Sequence, residues 1–128
     1  ILSYLQRVYS GRSAGKIRAE KQQLTDRVTA YIESHFAQNI TIADLSRQFY
    51  VSESTISHQF RQKMGLSLYR YITQRRLIAA KTHIQNGATL EQVSRDVGFA
   101  DYSTFYRAFK QEFGISPRRY RELQGGER

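Results

Sequence analysis

The chain has 128 residues, with 20 Lys and Arg against 11 Asp and Glu, for a formal charge of +9 and a pI near 10.1. At 40% hydrophobic and 24% charged it has a globular composition, unlike a disordered basic tail. Zero cysteines exclude disulfides, zinc fingers, iron–sulfur clusters and thiol nucleophiles, and no apolar run approaches the roughly 18 residues of a membrane span.

The length suits one ordinary domain or two very small ones. The charge surplus makes a polyanion the expected partner, and composition alone leaves DNA, RNA and an anionic membrane surface open. The start carries neither Met nor a signal-peptide pattern, so the chain reads as a fragment of something longer. Residues 1–20 stand apart. Ile1, Leu2, Leu5, Val8 and Tyr9 make a short amphipathic stripe, and Ser10 to Lys16 is a basic, glycine- and serine-containing linker. They read as an upstream domain's last helix with its tether, or as an extension docked on the core.

From there apolar residues recur at helical spacing: Leu24, Val28, Tyr31, Ile32 and Phe36; Ile42, Leu45 and Phe49; Ile56, Phe60 and Met64. They continue as Leu68, Ile72, Ala79, Ala80 and Ile84; Leu90, Val93 and Val97; Phe105, Phe109 and Phe113. No stretch has a period of two, and the single proline, Pro117, leaves helices free to run elsewhere. The fold class is therefore all-α. Thr41 with Asp44 and Thr89 with Gln92 have capping-box spacing. Ser52 and Asp101 are natural N-caps, and Ser116 precedes proline at a first helical position. Gly65, Gly87 and Gly114 sit where helix-ending glycines belong.

The chain repeats itself. Residues 41–47 align with 89–95 at an offset of 48, with Thr, Ser and Arg coinciding. After the turn the offset is 49, and Ser54, Thr55, Phe60, Gln62, Gly65, Ser67, Arg70 and Tyr71 match Ser103, Thr104, Phe109, Gln111, Gly114, Ser116, Arg119 and Tyr120. That is eight identities in 18 positions, where chance gives roughly one or two. Each copy is a short helix, a turn (Tyr50 to Ser52; Gly98 to Asp101), a second helix and a glycine stop. Helix-turn-helix is the economical reading. A hairpin used only for packing is the alternative, and charge and repeat together favour DNA. Between the copies, Ser67 to Asn86 is an uninterrupted helical pattern roughly 28–30 Å long. It is long enough to set two recognition helices one DNA turn apart within one chain. The division is 1–20, an N-terminal segment and linker; 21–87, the first unit with the linker helix; and 88–124, the second unit.

The run Gly98-Phe99-x-Asp101-x-Ser103-x-Phe105-x-Arg107-x-Phe109-Lys110, then Gly114-x-Ser116-Pro117 and Tyr120-Arg121, closely resembles the signature of the AraC/XylS family of bacterial transcription regulators. Upstream, Ile40-Thr41-Ile42-x-Asp44-Leu45, Val51-Ser52-x-Ser54, Phe60-Arg61, Gly65-x-Ser67 and Arg76-Leu77-x-x-Ala80-Lys81 agree, so the resemblance covers residues 24–121. It implies a seven-helix DNA-binding domain with two helix-turn-helix units joined by a linker helix. It also implies a bacterial cytoplasmic regulator, on the nucleoid when bound, whose sensing and dimerisation domain lies upstream and is absent from this chain. The first recognition helix departs from several relatives in carrying Ser54, Ser57 and His58 where theirs are bulkier or more basic.

Burying Ile56, Phe60 and Met64 leaves Glu53, Ser54, Ser57, His58 and Arg61 outward; burying Phe105, Phe109 and Phe113 leaves Tyr102, Ser103, Tyr106, Arg107 and Lys110 outward. The N-terminal halves of recognition helices reach base edges. The expected base readers are therefore Ser54, Ser57, His58, Tyr102, Ser103, Tyr106 and Arg107. Arg107 suits a bidentate contact to guanine, with a phosphate clamp or internal ion pair as its bland alternative. Tyr106 suits a thymine methyl or a covering of the core. Arg61, Lys63, Lys110, Arg118 and Arg119 are the expected phosphate contacts, about half of them touching DNA. Arg76 is expected in a structural ion pair.

The partners expected are double-stranded operator DNA and RNA polymerase, with no membrane. No cofactor or metal is expected, because His35, His58 and His83 lie on different helices without ligand spacing. No hydrolase, Walker or dinucleotide fingerprint appears, so the chain reads as a non-enzyme. A basic RNA-binding or nucleoid-type helical module that reads no sequence is the alternative, and a protein-interaction domain a third class.

Overall fold

The computed structural model describes residues 23–125, and the segment 1–20 lies outside them. Seven helices and no strand occur among the described residues. They are α1 (23–35), α2 (Ile42–Phe49), α3 (Glu53–Met64), α4 (Leu68–Gln85), α5 (Leu90–Asp96), α6 (Tyr102–Phe113) and α7 (Pro117–Gly125). The described residues are all-α, as their periodicity requires.

The helix ends follow from local chemistry. At α2 the capping box is complete: Asp44 N donates to Thr41 Oγ1 at 3.1 Å and Thr41 N to Asp44 Oδ2 at 3.3 Å. At α5 the Thr89 hydroxyl accepts from Gln92 N at 3.2 Å. Ser52 caps α3 through Thr55 N, Asp101 caps α6 through Thr104 N, and Ser116 Oγ accepts from Arg119 N at the start of α7. Gly65 and Gly114 end α3 and α6 in the left-handed conformation, φ 77° and 78°, where a Cβ would be strained.

By contacts the described residues form two compact units, 23–31 with Thr41–Ser67 and 32–40 with 68–125. α4 packs on α5, α6 and α7, so packing groups this helix with the second pair, whereas the sequence-based division assigned it to the first.

In the first unit, α2 packs on α3, and Thr25, Val28, Leu45, Ile56 and Phe60 are buried. The Phe49 ring meets Tyr31 edge-on at 6.2 Å and lies 5.2 Å from the Arg27 guanidinium carbon. Lys63 Nζ ties the end of α3 to Asp26 of α1 at 2.6 Å.

In the second unit, Leu77, Ala80, Ile84, Val93, Val97, Phe99, Phe105 and Phe109 form the core. Ring contacts at 4.7–5.8 Å run from Phe99 through Phe105 and Phe109 to Phe113 and Tyr120. These are the offset and edge-on geometries that aromatic quadrupoles favour. Lys81 Nζ sits 3.8 Å from the Phe113 centroid, a cation–π contact that covers the end of this stack.

Candidate nucleic-acid interface

The two repeats fold the same way. Val51 N donates to Ser46 O and Phe99 N to Ser94 O, at 3.2 and 3.0 Å. The Ser46 and Ser94 hydroxyls each donate across the turn, to Val51 O and Asp101 O. Leu45 and Val93, Ile56 and Phe105, and Phe60 and Phe109 are buried at equivalent positions. The turns differ where one residue was added. Gly98 turns at φ 105°, while its equivalent Tyr50 takes a left-handed φ of 57° and is 93% exposed.

Burying one stripe of each second helix presents the opposite face. On α3, Ser54, Ser57, His58, Arg61 and Lys63 are exposed, as are Glu53 and Gln62. On α6, Ser103, Arg107 and Lys110 are exposed, with Gln111. The 49-residue offset puts Ser57 at the place of Tyr106, His58 at that of Arg107 and Arg61 at that of Lys110. Glu53, Gln62 and Gln111 lie on these faces beside the expected readers, and the offset places Gln62 and Gln111 at one position.

Tyr102 differs from the outward placement expected of it, and Tyr106 fits the alternative in which its ring covers the core. Both are half-buried, with rings 6.3 Å apart, and Tyr102 lies against Phe105 at 5.9 Å as part of the packing around the core. The first position of α6 is next to that core, so its ring covers apolar surface. Burial raises the Tyr102 phenol, with Glu91 and Tyr106 adding and Arg118 and Arg121 opposing. These arginines of α7 are therefore within electrostatic reach of the start of α6.

Among the described residues Arg107 has no carboxylate at ion-pair distance, but its charge adds to the Thr104 amide and hydroxyl in holding the Asp101 carboxyl below its ordinary value. Of the other cations, Lys63 is held by Asp26 and Arg119 lies 3.4 Å from Glu122. Arg61, Lys110 and Arg118 are exposed with no such partner among the described residues.

Arg76 corrects its expectation. In place of an ion pair, Nε donates to Phe36 O at 2.7 Å and Nη2 to Gln38 O at 2.8 Å, with the guanidinium 5.9 Å from the Phe99 centroid. The carbonyls just past the end of α1 have no helical partner, and a planar fork of donors meets two of them at once. Burial lowers the Arg76 pKa.

No group of three His, Asp or Glu residues among the described residues is placed to hold a metal. No helix among them is long and apolar enough to cross a membrane.

Two copies of a capped helix, a tight turn and a second helix with an exposed polar face define the helix-turn-helix class. Residues 45–123 match the helix-turn-helix domain family model, and the chain belongs to that family as a DNA-binding domain of the AraC/XylS type. The family is a DNA-binding one and not an enzymatic one. The chain is 35% identical over 91 residues to LumQ of Photobacterium leiognathi, covering 70% of this chain and 37% of LumQ. It is 33% identical over 98 residues to the HTH-type transcriptional activator RhaS of Escherichia coli O1:K1, covering 76% and 35%. It thus spans little more than a third of the length of these relatives. The C-terminal domain of AraT, a response regulator from Geobacillus stearothermophilus, is similar in structure with a TM-score of 0.76 at 26% identity, over 78% of this chain and 84% of that one. The DNA-binding domain of AdpA in complex with a target DNA shares the fold, with a TM-score of 0.77 at 21% identity over 81% and 95%.

Proposed function

We propose that this chain is the operator-reading part of a bacterial transcription regulator, with α3 and α6 each entering a major-groove segment of duplex DNA. The observation that carries the reading is the duplicated unit, whose second helix is anchored by a buried stripe and presents a polar, net-cationic face on α6. Ser54, Ser57, His58, Ser103 and Arg107 face base edges, with the hydroxyls of Tyr102 and Tyr106 at the margin of the α6 face. Arg107 takes guanine O6 and N7. Arg61, Lys110 and Arg118 take phosphates, while Lys63 and Arg119 do so only by leaving Asp26 and Glu122. The 18 residues of α4, about 27 Å at 1.5 Å each, support adjacent segments as the target. RNA polymerase, an upstream sensing and dimerisation domain and a nucleoid location belong to the same proposal. The test is binding to duplexes selected from a random pool against scrambled duplexes of equal composition. The reading requires a preference for the selected duplex, and equal binding to both assigns a non-sequence-specific role.

A further inference from the structure

The described part of the first unit holds three carboxylates, Asp26, Asp44 and Glu53. Asp26 takes Lys63 at 2.6 Å, and Asp44 takes Arg47 while closing the capping box of α2. Glu53 is exposed and takes no cation among the described residues. It is the first residue of α3, but Ser52 already caps that helix through the Thr55 amide, so the cap does not require it. Its place on α6 is held by Tyr102. An unpaired carboxylate on a face turned toward a polyanion opposes every phosphate contact beside it. In the first turn of α3 it favours the helix dipole whether or not DNA is bound, but against the DNA itself such a group is favourable only where it meets a donor. In the major groove an isolated donor is the exocyclic amine of cytosine; guanine offers two acceptors, thymine one, and adenine an amine flanked by the N7 acceptor.

Resting on the reading above, we infer that Glu53 is a specificity-determining residue of the first unit. Its carboxylate accepts the N4 amine of a cytosine under the start of α3 and rejects guanine and thymine, whose groove edges present acceptors. The two units then divide the work. The α6 face, with Arg107 and Lys110, supplies attraction, and the α3 face adds to the attraction of Arg61 an exclusion from Glu53, beside short neutral Ser54 and Ser57. Specificity by repulsion lowers affinity for wrong sites more than it raises affinity for the right one.

Selection from a randomised duplex library, run on the 128-residue chain and on Glu53→Gln and Glu53→Ala, tests this directly. For the native chain one position of the selected site is cytosine. Glu53→Gln loses that preference and gains adenine there, because an amide pairs bidentately with adenine N6 and N7. Glu53→Ala loses the preference without gaining another. Both variants bind random duplex severalfold tighter than the native chain, since a repulsion has been removed. Identical selected sites for all three chains overturn the inference while leaving the operator-reading proposal standing. A fall in melting temperature with unchanged base preference does the same, and assigns Glu53 to the helix dipole alone. A native chain that selects no sequence overturns both.

Discussion

Gly98 lies against Arg76 so closely that a Cβ on it would stand 2.9 Å from the guanidinium Nε and 2.8 Å from the Ala37 carbonyl oxygen that flanks it. The left-handed turn of the second unit and the arginine that holds the residues after α1 therefore occupy one crowded place. Gly98→Ala is predicted to destabilise by more than about 2 kcal/mol, from left-handed strain of about 1–2 kcal/mol and a displaced carbonyl. The equivalent Tyr50→Gly, at an exposed left-handed residue with an unencumbered side chain, is predicted to change stability by less than about 1 kcal/mol either way. Urea denaturation of the two variants measures the contrast.

Arg76 itself is the next test. Arg76→Ala leaves the Phe36 and Gln38 carbonyls without their donor, a loss of about 1–3 kcal/mol. Arg76→Lys restores only part of it, because a single ammonium does not reproduce two donors in a planar fork. Equal stability of the Lys variant and the native chain would show that charge, not fork geometry, is what the site uses.

These two residues also mark the limit of what could be read in the sequence. The helices, their caps at Thr41, Ser52, Thr89, Asp101 and Ser116, and the glycine stops were legible because each depends on residues within four positions. The buried stripes of α3 and α6 were legible because they repeat at helical spacing. The partners of Arg76 lie 40 and 38 residues away and that of Lys63 lies 37 away; nothing local fixes such pairings. The half-burial of Tyr102 has a related cause. Helical phase puts it outward, but a large ring at the edge of a stripe leans onto Phe105. The left-handed Tyr50 carries no sequence signal beyond its alignment with Gly98.

Acid stability follows from two caps. The Asp44 carboxyl is lowered chiefly by the Thr41 hydroxyl, and that of Asp101 chiefly by the Thr104 amide, both from an ordinary value of 3.8. A group with a depressed folded pKa contributes stability above its unfolded pKa, and loses it as pH falls through the folded one. Asn caps helices as well as Asp but does not titrate. Melting temperatures of Asp101→Asn are therefore predicted to fall less steeply than those of the native chain as pH is lowered below about 4. Parallel curves would remove Asp101 from the acid response.

On DNA the cations of α6 separate by role. Arg107→Ala is predicted to weaken binding to the selected duplex by about 1–3 kcal/mol and to relax one position of the site. Lys110→Ala weakens selected and scrambled duplexes alike and reduces the slope of log K against log salt by about 1. Titrations at several salt concentrations distinguish the two. Equal losses on both duplexes from both variants would show that Arg107 is a phosphate contact.

Reading of DNA by two helices of one chain is resolved by guanine-methylation interference on a selected duplex, because N7 methylation of guanine blocks the major groove alone. Interference is expected in two major-groove segments on one face of the duplex, about 10 base pairs apart, with the signal in one segment lost in Arg107→Ala and the other retained. Interference confined to a single segment would contradict reading by two helices.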